Sequence, residues 1–92
     1  MILGSKQHTA GDTKRWKIDY SRWLANAVNI ASATLTSSSA TCTVDDSVVL
    51  GDEVVFFLTG GVQGENVTVS VVMTDTDGNI KNDTILFSCV AP

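Results

Sequence analysis

Short apolar runs separated by glycine-marked turns fill residues 54–90, and this pattern constrains the fold more than any other feature of the 92-residue chain. Between residues 66 and 74, Val67, Val69, Val71 and Met73 occupy odd positions, and polar residues occupy most even ones. A period of two is typical of a half-buried β-strand. Residues 54–58 are continuously apolar, which favours a central buried strand. Together with residues 80–90, the sequence predicts three consecutive strands.

Four further strands are predicted upstream, at residues 13–20, 28–36, 40–44 and 48–50. The last of these is expected to cross between two sheets. Residues 21–24 break the alternation, so we expect a tight turn there, with Trp23 covering one end of the core. In the final strand we expect Ile85, Phe87 and Cys89 to face inward, because Phe87 buries the most area. About seven strands, with turns about every 8–12 positions, predict an all-β, immunoglobulin-like β-sandwich over residues 13–92.

Charge divides the chain into a basic beginning and an acidic body. Five of the six basic residues fall within the first 22 positions, although the net charge is −4. Residues 1–12 have no periodicity, so we expect a flexible N-terminal arm. A basic end suggests docking against an acidic or alternately charged partner, and the alternative is a solvated strand edge guarded by charge. Nucleic acid is not an expected partner, because an acidic domain repels phosphate.

Groups suited to catalysis or metal binding are scarce. His8 is the single histidine, and with Cys42 and Cys89 it provides too few ligands for a zinc site. Residues 75–79 resemble the start of a calcium loop, but the glycine stands at the fourth position rather than the sixth, so we expect a hairpin turn. The acidic residues of two loops (Asp45, Asp46, Asp52 and Glu53) are expected to be solvated. The sequence therefore predicts no enzyme, no cofactor and no metal.

Redox state and membrane association follow from the same composition. No apolar signal-peptide core follows Met1, so we expect reduced cysteines rather than a disulfide. Residues 23–44 are uncharged but rich in Ser, Thr and Asn, whose burial in lipid is costly, so no membrane partner is expected.

Three segments in a fixed order resemble one family. They are Ile-Asp-Tyr-Ser-Arg-Trp-Leu at residues 18–24, Ile-Ala-Ser-Ala-Thr-Leu-Thr at 30–36, and Phe-Leu-Thr-Gly-Gly-Val-Gln-Gly at 57–64 continuing to Gly78. In these segments the chain is similar to the small immunoglobulin-like fiber–tail adaptors of tailed bacteriophages, over roughly residues 14–90. It departs from them in residues 25–29, which contain no glycine, at Val67, where an aromatic residue is usual, and in residues 1–12.

The resemblance implies a structural virion protein that attaches tail fibers to the tail or connector by protein–protein binding. It also implies multiple copies per virion and synthesis in the host cytoplasm. Two alternatives stay open, a capsid decoration (cement) protein and a cell-surface or carbohydrate-binding module. The six aromatic residues count against the binding module, since most are needed for the core. We expect partner contacts along the basic segment and at the glycine-rich turn, specifically at Lys6, Lys14, Arg15, Trp16, Gly60, Gly61 and Gly64. For Trp16 the alternative is packing in the core.

Overall fold

Seven β-strands in two sheets make up the fold of residues 2–92, which a computed structural model describes. The larger sheet has the order β1-β7-β6-β3 and the smaller one β2-β5-β4. The predicted all-β class and the division into two sheets are thereby confirmed. The strands are β1 (Ile2–Thr9), β2 (Thr13–Asp19), β3 (Ile30–Ser37), β4 (Cys42–Leu50), β5 (Glu53–Gly60), β6 (Asn66–Asp75) and β7 (Ile80–Val90).

The core lies between the sheets and follows the sequence alternation closely. On β6 the odd-numbered side chains Val67, Val69, Val71 and Met73 are all buried. The final strand turns its odd positions inward as expected, with Phe87 1% exposed. From the opposite sheet, β5 contributes a central buried row of Val54, Phe56 and Leu58. Burying a side chain of this size contributes about 1.5–3 kcal/mol. Most of the buried core residues lie on β5, β6 and β7.

The first strand corrects the expectation of a flexible arm. Residues 2–9 form β1, which pairs in parallel with β7, placing Lys6 beside Phe87 and His8 beside Cys89. Met1 lies outside the described residues. The periodicity that would reveal a strand is missing because β1 is an edge strand, and only His8 on it is fully buried. Its backbone groups nevertheless pair with an edge of β7 that would otherwise be open.

The fourth strand corrects a second expectation. Residues 40–44 and 48–50 were expected to be two strands, the second crossing between sheets, but Cys42–Leu50 is one strand paired with β5. The register shifts between Asp45 and Val48, and Asp46 has a positive φ of 52°. A bulge of this kind interrupts the alternation without ending the strand. The structure still has seven strands, because β1 was not predicted as a strand and residues 48–50 belong to β4.

The hairpin between β6 and β7 confirms the interpretation of residues 75–79 as a turn. The Asp75 carboxylate accepts hydrogen bonds from the backbone N–H groups of Asp77 and Asn79 and from the Asn79 side chain. Burial alone would raise the pKa of Asp75, but these hydrogen bonds outweigh it and lower the pKa below its ordinary value. Gly78 takes the positive φ of 87° that the turn requires.

Candidate partner-binding surface

The Asp-Tyr-Ser-Arg-Trp-Leu motif forms a tight turn after β2. Asp19 Oδ1 accepts a hydrogen bond from the Ser21 N–H at 2.8 Å, and the Trp23 and Leu24 N–H groups donate to the Tyr20 carbonyl. Tyr20 is 2% exposed, and its hydroxyl donates to Asp83 Oδ2 at 2.9 Å, which ties the turn to β7. The turn predicted for residues 21–24 is therefore confirmed.

Trp23 faces solvent, which corrects its expected place in the core. It is 41% exposed, whereas Leu24 packs against the core. Tyr20 already occupies the inward position at this end of β2, and the turn after it directs Trp23 outward. The Lys81 Nζ lies 5.8 Å from the Trp23 ring centre and 2.8 Å from Asp83 Oδ1. An exposed tryptophan held over a fixed cation is the kind of side chain that dominates binding energy at protein interfaces.

A groove runs between β1 and β2, which are edge strands of different sheets. Two adjoining cavities of about 250 and 460 Å³ form it and share Leu3, Ile18 and Asp19. Toward one end Lys6, Lys17 and Ile85 line it, and toward the other Tyr20, Arg22, Trp23 and Lys81. We call this surface the Trp23 groove. Its apolar side chains include Leu3, which is 36% exposed.

Positive charge surrounds the apolar surface of the Trp23 groove. Lys6, Lys17, Arg22 and Lys81 line it, opposed by the Asp19 carboxylate. The Ser21 hydrogen bonds lower the pKa of Asp19, so it is ionised at neutral pH. Lys17 forms an exposed ion pair with Glu53 at 3.2 Å, and Lys81 pairs with the buried Asp83. A partner segment with an apolar side chain and nearby carboxylates matches this surface in shape and charge.

The predicted basic contact residues are divided among different surfaces. Lys6 lines the Trp23 groove. Arg15 is exposed on β2, on the face opposite Trp16. Lys14 lies above the Trp16 ring, with its Nζ 4.5 Å from the ring centre. Trp16 itself packs edge-on against Phe87 with ring centres 5.0 Å apart, which is the core-packing alternative for this residue.

The predicted glycine-rich turn follows β5, at the opposite end of that strand from the Asp19–Glu53 pairing beside the Trp23 groove. An added Cβ at Gly60 would lie 2.5 Å from the Thr41 carbonyl oxygen, and one at Gly61 would lie 2.8 Å from Cys89 Sγ. Gly64 meets nothing within 4 Å but has a positive φ of 87°. Close packing explains why Gly60 and Gly61 are glycines, and the backbone conformation explains Gly64. Partner binding by this turn stays a prediction.

Sequence reasoning missed Leu3, Ile18, Arg22, Trp23 and Lys81 as members of one surface. Their separation along the chain hides the groove, because β1, the turn after β2 and the start of β7 meet only in the folded protein. One signal was available for Trp23. The inward face of β2 already ends with Tyr20, so a second large side chain three residues later had no inward position to fill.

The histidine and the two cysteines lie inside the fold. His8 Nε2 lies 3.2 Å from the carbonyl oxygens of both Asp12 and Gly60, which links β1 to the end of β5. Cys42 and Cys89 are free and buried. No cluster of three or more His, Cys, Asp or Glu side chains suited to a metal ion occurs in residues 2–92. Across the same residues, no helix is long and apolar enough to cross a membrane.

Comparison with known proteins relates these motifs to a family. Residues 8–88 match the family model described as podophage GP4 fiber-tail adaptor protein gp77. No curated protein matches the chain. The matched range takes in the Asp19–Leu24 turn, the glycine-rich turn and all strands except most of β1 and the last residues of β7. The chain therefore belongs to the podophage fiber-tail adaptor family that its sequence motifs indicated.

Proposed function

We propose that this protein joins tail fibers to the tail or connector of a podophage virion, in multiple copies and by protein–protein binding rather than catalysis. The family match over residues 8–88 is the observation that carries the proposal. The Trp23 groove supports it, since a tryptophan and an arginine beside apolar side chains are typical of binding surfaces. The internal use of His8 and the buried Asp83 also favours a binding role.

The immunoglobulin-like arrangement is part of this proposal. If the strands are lettered A to G in chain order, the smaller sheet has the order B-E-D and β3, β6 and β7 form C-F-G. These groupings are those of an immunoglobulin domain, in which A lies beside B. Here the first strand instead lies beside β7. Six of the seven strands thus support an immunoglobulin-like sandwich whose first strand has changed sheets.

The adaptor function can be tested on virions assembled without the protein. Fibers should be missing from such particles, while heads and tail tubes form normally, and electron microscopy would measure fiber occupancy directly. Full fiber occupancy in its absence would refute the adaptor role. Quantitative mass spectrometry of intact virions provides a second test, because hundreds of copies per particle, rather than tens, would indicate a capsid decoration protein.

The role of the Trp23 groove is tested by the Trp23→Ala variant. We expect at least a tenfold loss of affinity for the fiber or tail protein, since truncating a central tryptophan at an interface costs about 2 kcal/mol or more. Thermal stability should change little, because Trp23 is 41% exposed. Val72→Ala is a matched control, as Val72 is 40% exposed on β6, away from the groove. Equal binding by both variants would exclude the groove.

A further inference from the structure

The outer face of the β2-β5-β4 sheet has an apolar centre. Phe57 and Val55 project from β5 on the face opposite Phe56, and Val48 and Leu50 project beside them from β4. Val48 and Leu50 are 46% and 51% exposed. They face outward because β4 resumes its pairing with β5 after the bulge, with Val48 opposite Val55 and Leu50 opposite Glu53. Val55 is 3% exposed and Phe57 is half-buried, so the exposed apolar surface of this face lies mainly at Val48 and Leu50 on β4.

Opposite charges occupy the two edges of the same face. Arg15, Lys17 and Asp19 are exposed on β2 at one edge, and Asp45 is exposed on β4 at the other. The strand register places Arg15, Phe57 and Asp45 in one row across the sheet. The neighbouring row contains Lys17, Val55 and Val48. In each of these two rows a cation lies on β2 and an apolar side chain lies on β5. The residue on β4 is acidic in the first row and apolar in the second.

We propose that two copies of this chain pack through this face about a two-fold axis parallel to β5. Such an axis places β2 of each copy over β4 of the other while keeping the rows aligned. Arg15 then meets the partner's Asp45 at both edges, and the two Phe57 rings meet at the centre. A two-fold interface must be self-complementary, and the row that is basic at Arg15 and acidic at Asp45 satisfies that condition.

One feature of the face opposes this pairing and makes it testable. Glu53 lies on the central strand, so the two Glu53 carboxylates approach each other across the axis. Lys17 offsets this repulsion, since its Nζ lies 3.2 Å from Glu53 Oε2 in the same copy. Glu53→Gln should therefore tighten the dimer, whereas Lys17→Ala should weaken it.

Sedimentation of the purified chain over a concentration series tests the proposal. We expect the mass to rise from that of a 9.8 kDa monomer to a dimer and no further. Charge reversal by Arg15→Glu or by Asp45→Lys should weaken each homodimer about tenfold or more. Both residues are exposed, so the variants should fold, and circular dichroism would verify this.

Mixing the two reversed variants distinguishes this interface from any other. In the row of Arg15, Phe57 and Asp45, one variant is acidic at both ends and the other is basic at both ends, so a mixture should form a heterodimer although neither variant forms a stable homodimer. About 1 M salt, at which the Debye length is only about 3 Å, should abolish the difference between the variants. A monomer at every concentration, unchanged dimers in the variants, or species that grow beyond a dimer would overturn the proposal.

Discussion

Close contacts between individual atoms determine the packing around the glycine-rich turn. The Gly61 N–H donates to the Thr41 carbonyl, and the space where its Cβ would stand is filled by the thiols of Cys89 and Cys42 at 2.8 and 3.6 Å. Gly61 also has a positive φ of 98°. Both the conformation and the close approach of the cysteine thiols therefore require glycine at this position.

Gly61→Ala should destabilise the protein by about 2–3 kcal/mol, because it adds a steric clash to the cost of a left-handed conformation. Gly64→Ala is the matched control. It has a similar φ of 87° but open space around its Cβ, so we expect a cost of about 1 kcal/mol. Denaturant unfolding measures both values. Equal losses would show that the clash with Cys89 is relieved by rearrangement.

Tyr20 and Asp83 show how the family motif supports the groove. The buried Asp83 carboxylate accepts from Tyr20 and pairs with Lys81, and Lys81 in turn lies near the Trp23 ring. Burial, together with Asp83, raises the pKa of Tyr20 well above its ordinary value, so the hydroxyl stays a donor. Through Asp83, the motif residue Tyr20 is thus linked to Lys81, the cation near the exposed Trp23 ring.

At the scale of elements, β1 decides how the larger sheet ends. It pairs with β7 from Ile2 to Thr9, and the side chain of its own residue His8 is completely buried. Without β1, the N–H and C=O groups of β7 on that side would be open to solvent or to another chain. Leu3 and Lys6 would also be lost from the Trp23 groove.

Deleting residues 2–9 should therefore lower the melting temperature and promote aggregation, rather than detach a dispensable arm. Hydrogen exchange should accelerate at the β7 amides facing β1, while the amides of β4 change least. Replacing the exposed Lys6 and Gln7 by alanine controls for side-chain loss and should leave stability nearly unchanged. An unchanged melting temperature after the deletion would mean that β1 contributes nothing to the fold.

At the scale of the whole molecule, two free, buried thiols lie between the two sheets. Cys42 lies on β4 and Cys89 on β7, and both are buried beside Gly61. Burial, reinforced by the neighbouring Cys89, raises the pKa of Cys42 from 9.0 to about 11. The folded protein therefore retains a proton that the unfolded chain has lost between these two values.

Stability should consequently be unaffected by this thiol below about pH 9 and should fall as the pH rises toward 11, by on the order of 2 kcal/mol. Tyr20 adds to the decline above its ordinary pKa of 10.0. Comparing Cys42→Ala with the parent protein isolates the thiol, because the variant should lose stability less steeply over this range. Unfolding at a series of pH values measures the slopes, and identical slopes would contradict the assignment.

The sequence by itself determined the strands whose two faces differ in environment. β6 follows from a period of two, and the size of Phe87 indicated which positions of β7 face inward. Asp75 and Gly78 determine the hairpin between these strands by local hydrogen bonding and backbone conformation. The family motifs were also visible, since they depend on residue identity and order. Each of these signals is local, so no knowledge of the packed molecule was needed.

Only the tertiary structure decided the role of β1, the continuity of β4 and the composition of the Trp23 groove. An edge strand on which only His8 is fully buried shows no alternation of apolar and polar side chains. In β4 the bulge after Asp45 interrupts the apolar pattern with polar residues. The groove joins Leu3, Trp23 and Lys81, which are brought together by sheet order rather than by sequence spacing. Long-range pairing of backbone groups leaves little trace in side-chain patterns, and this is why these features required the folded chain.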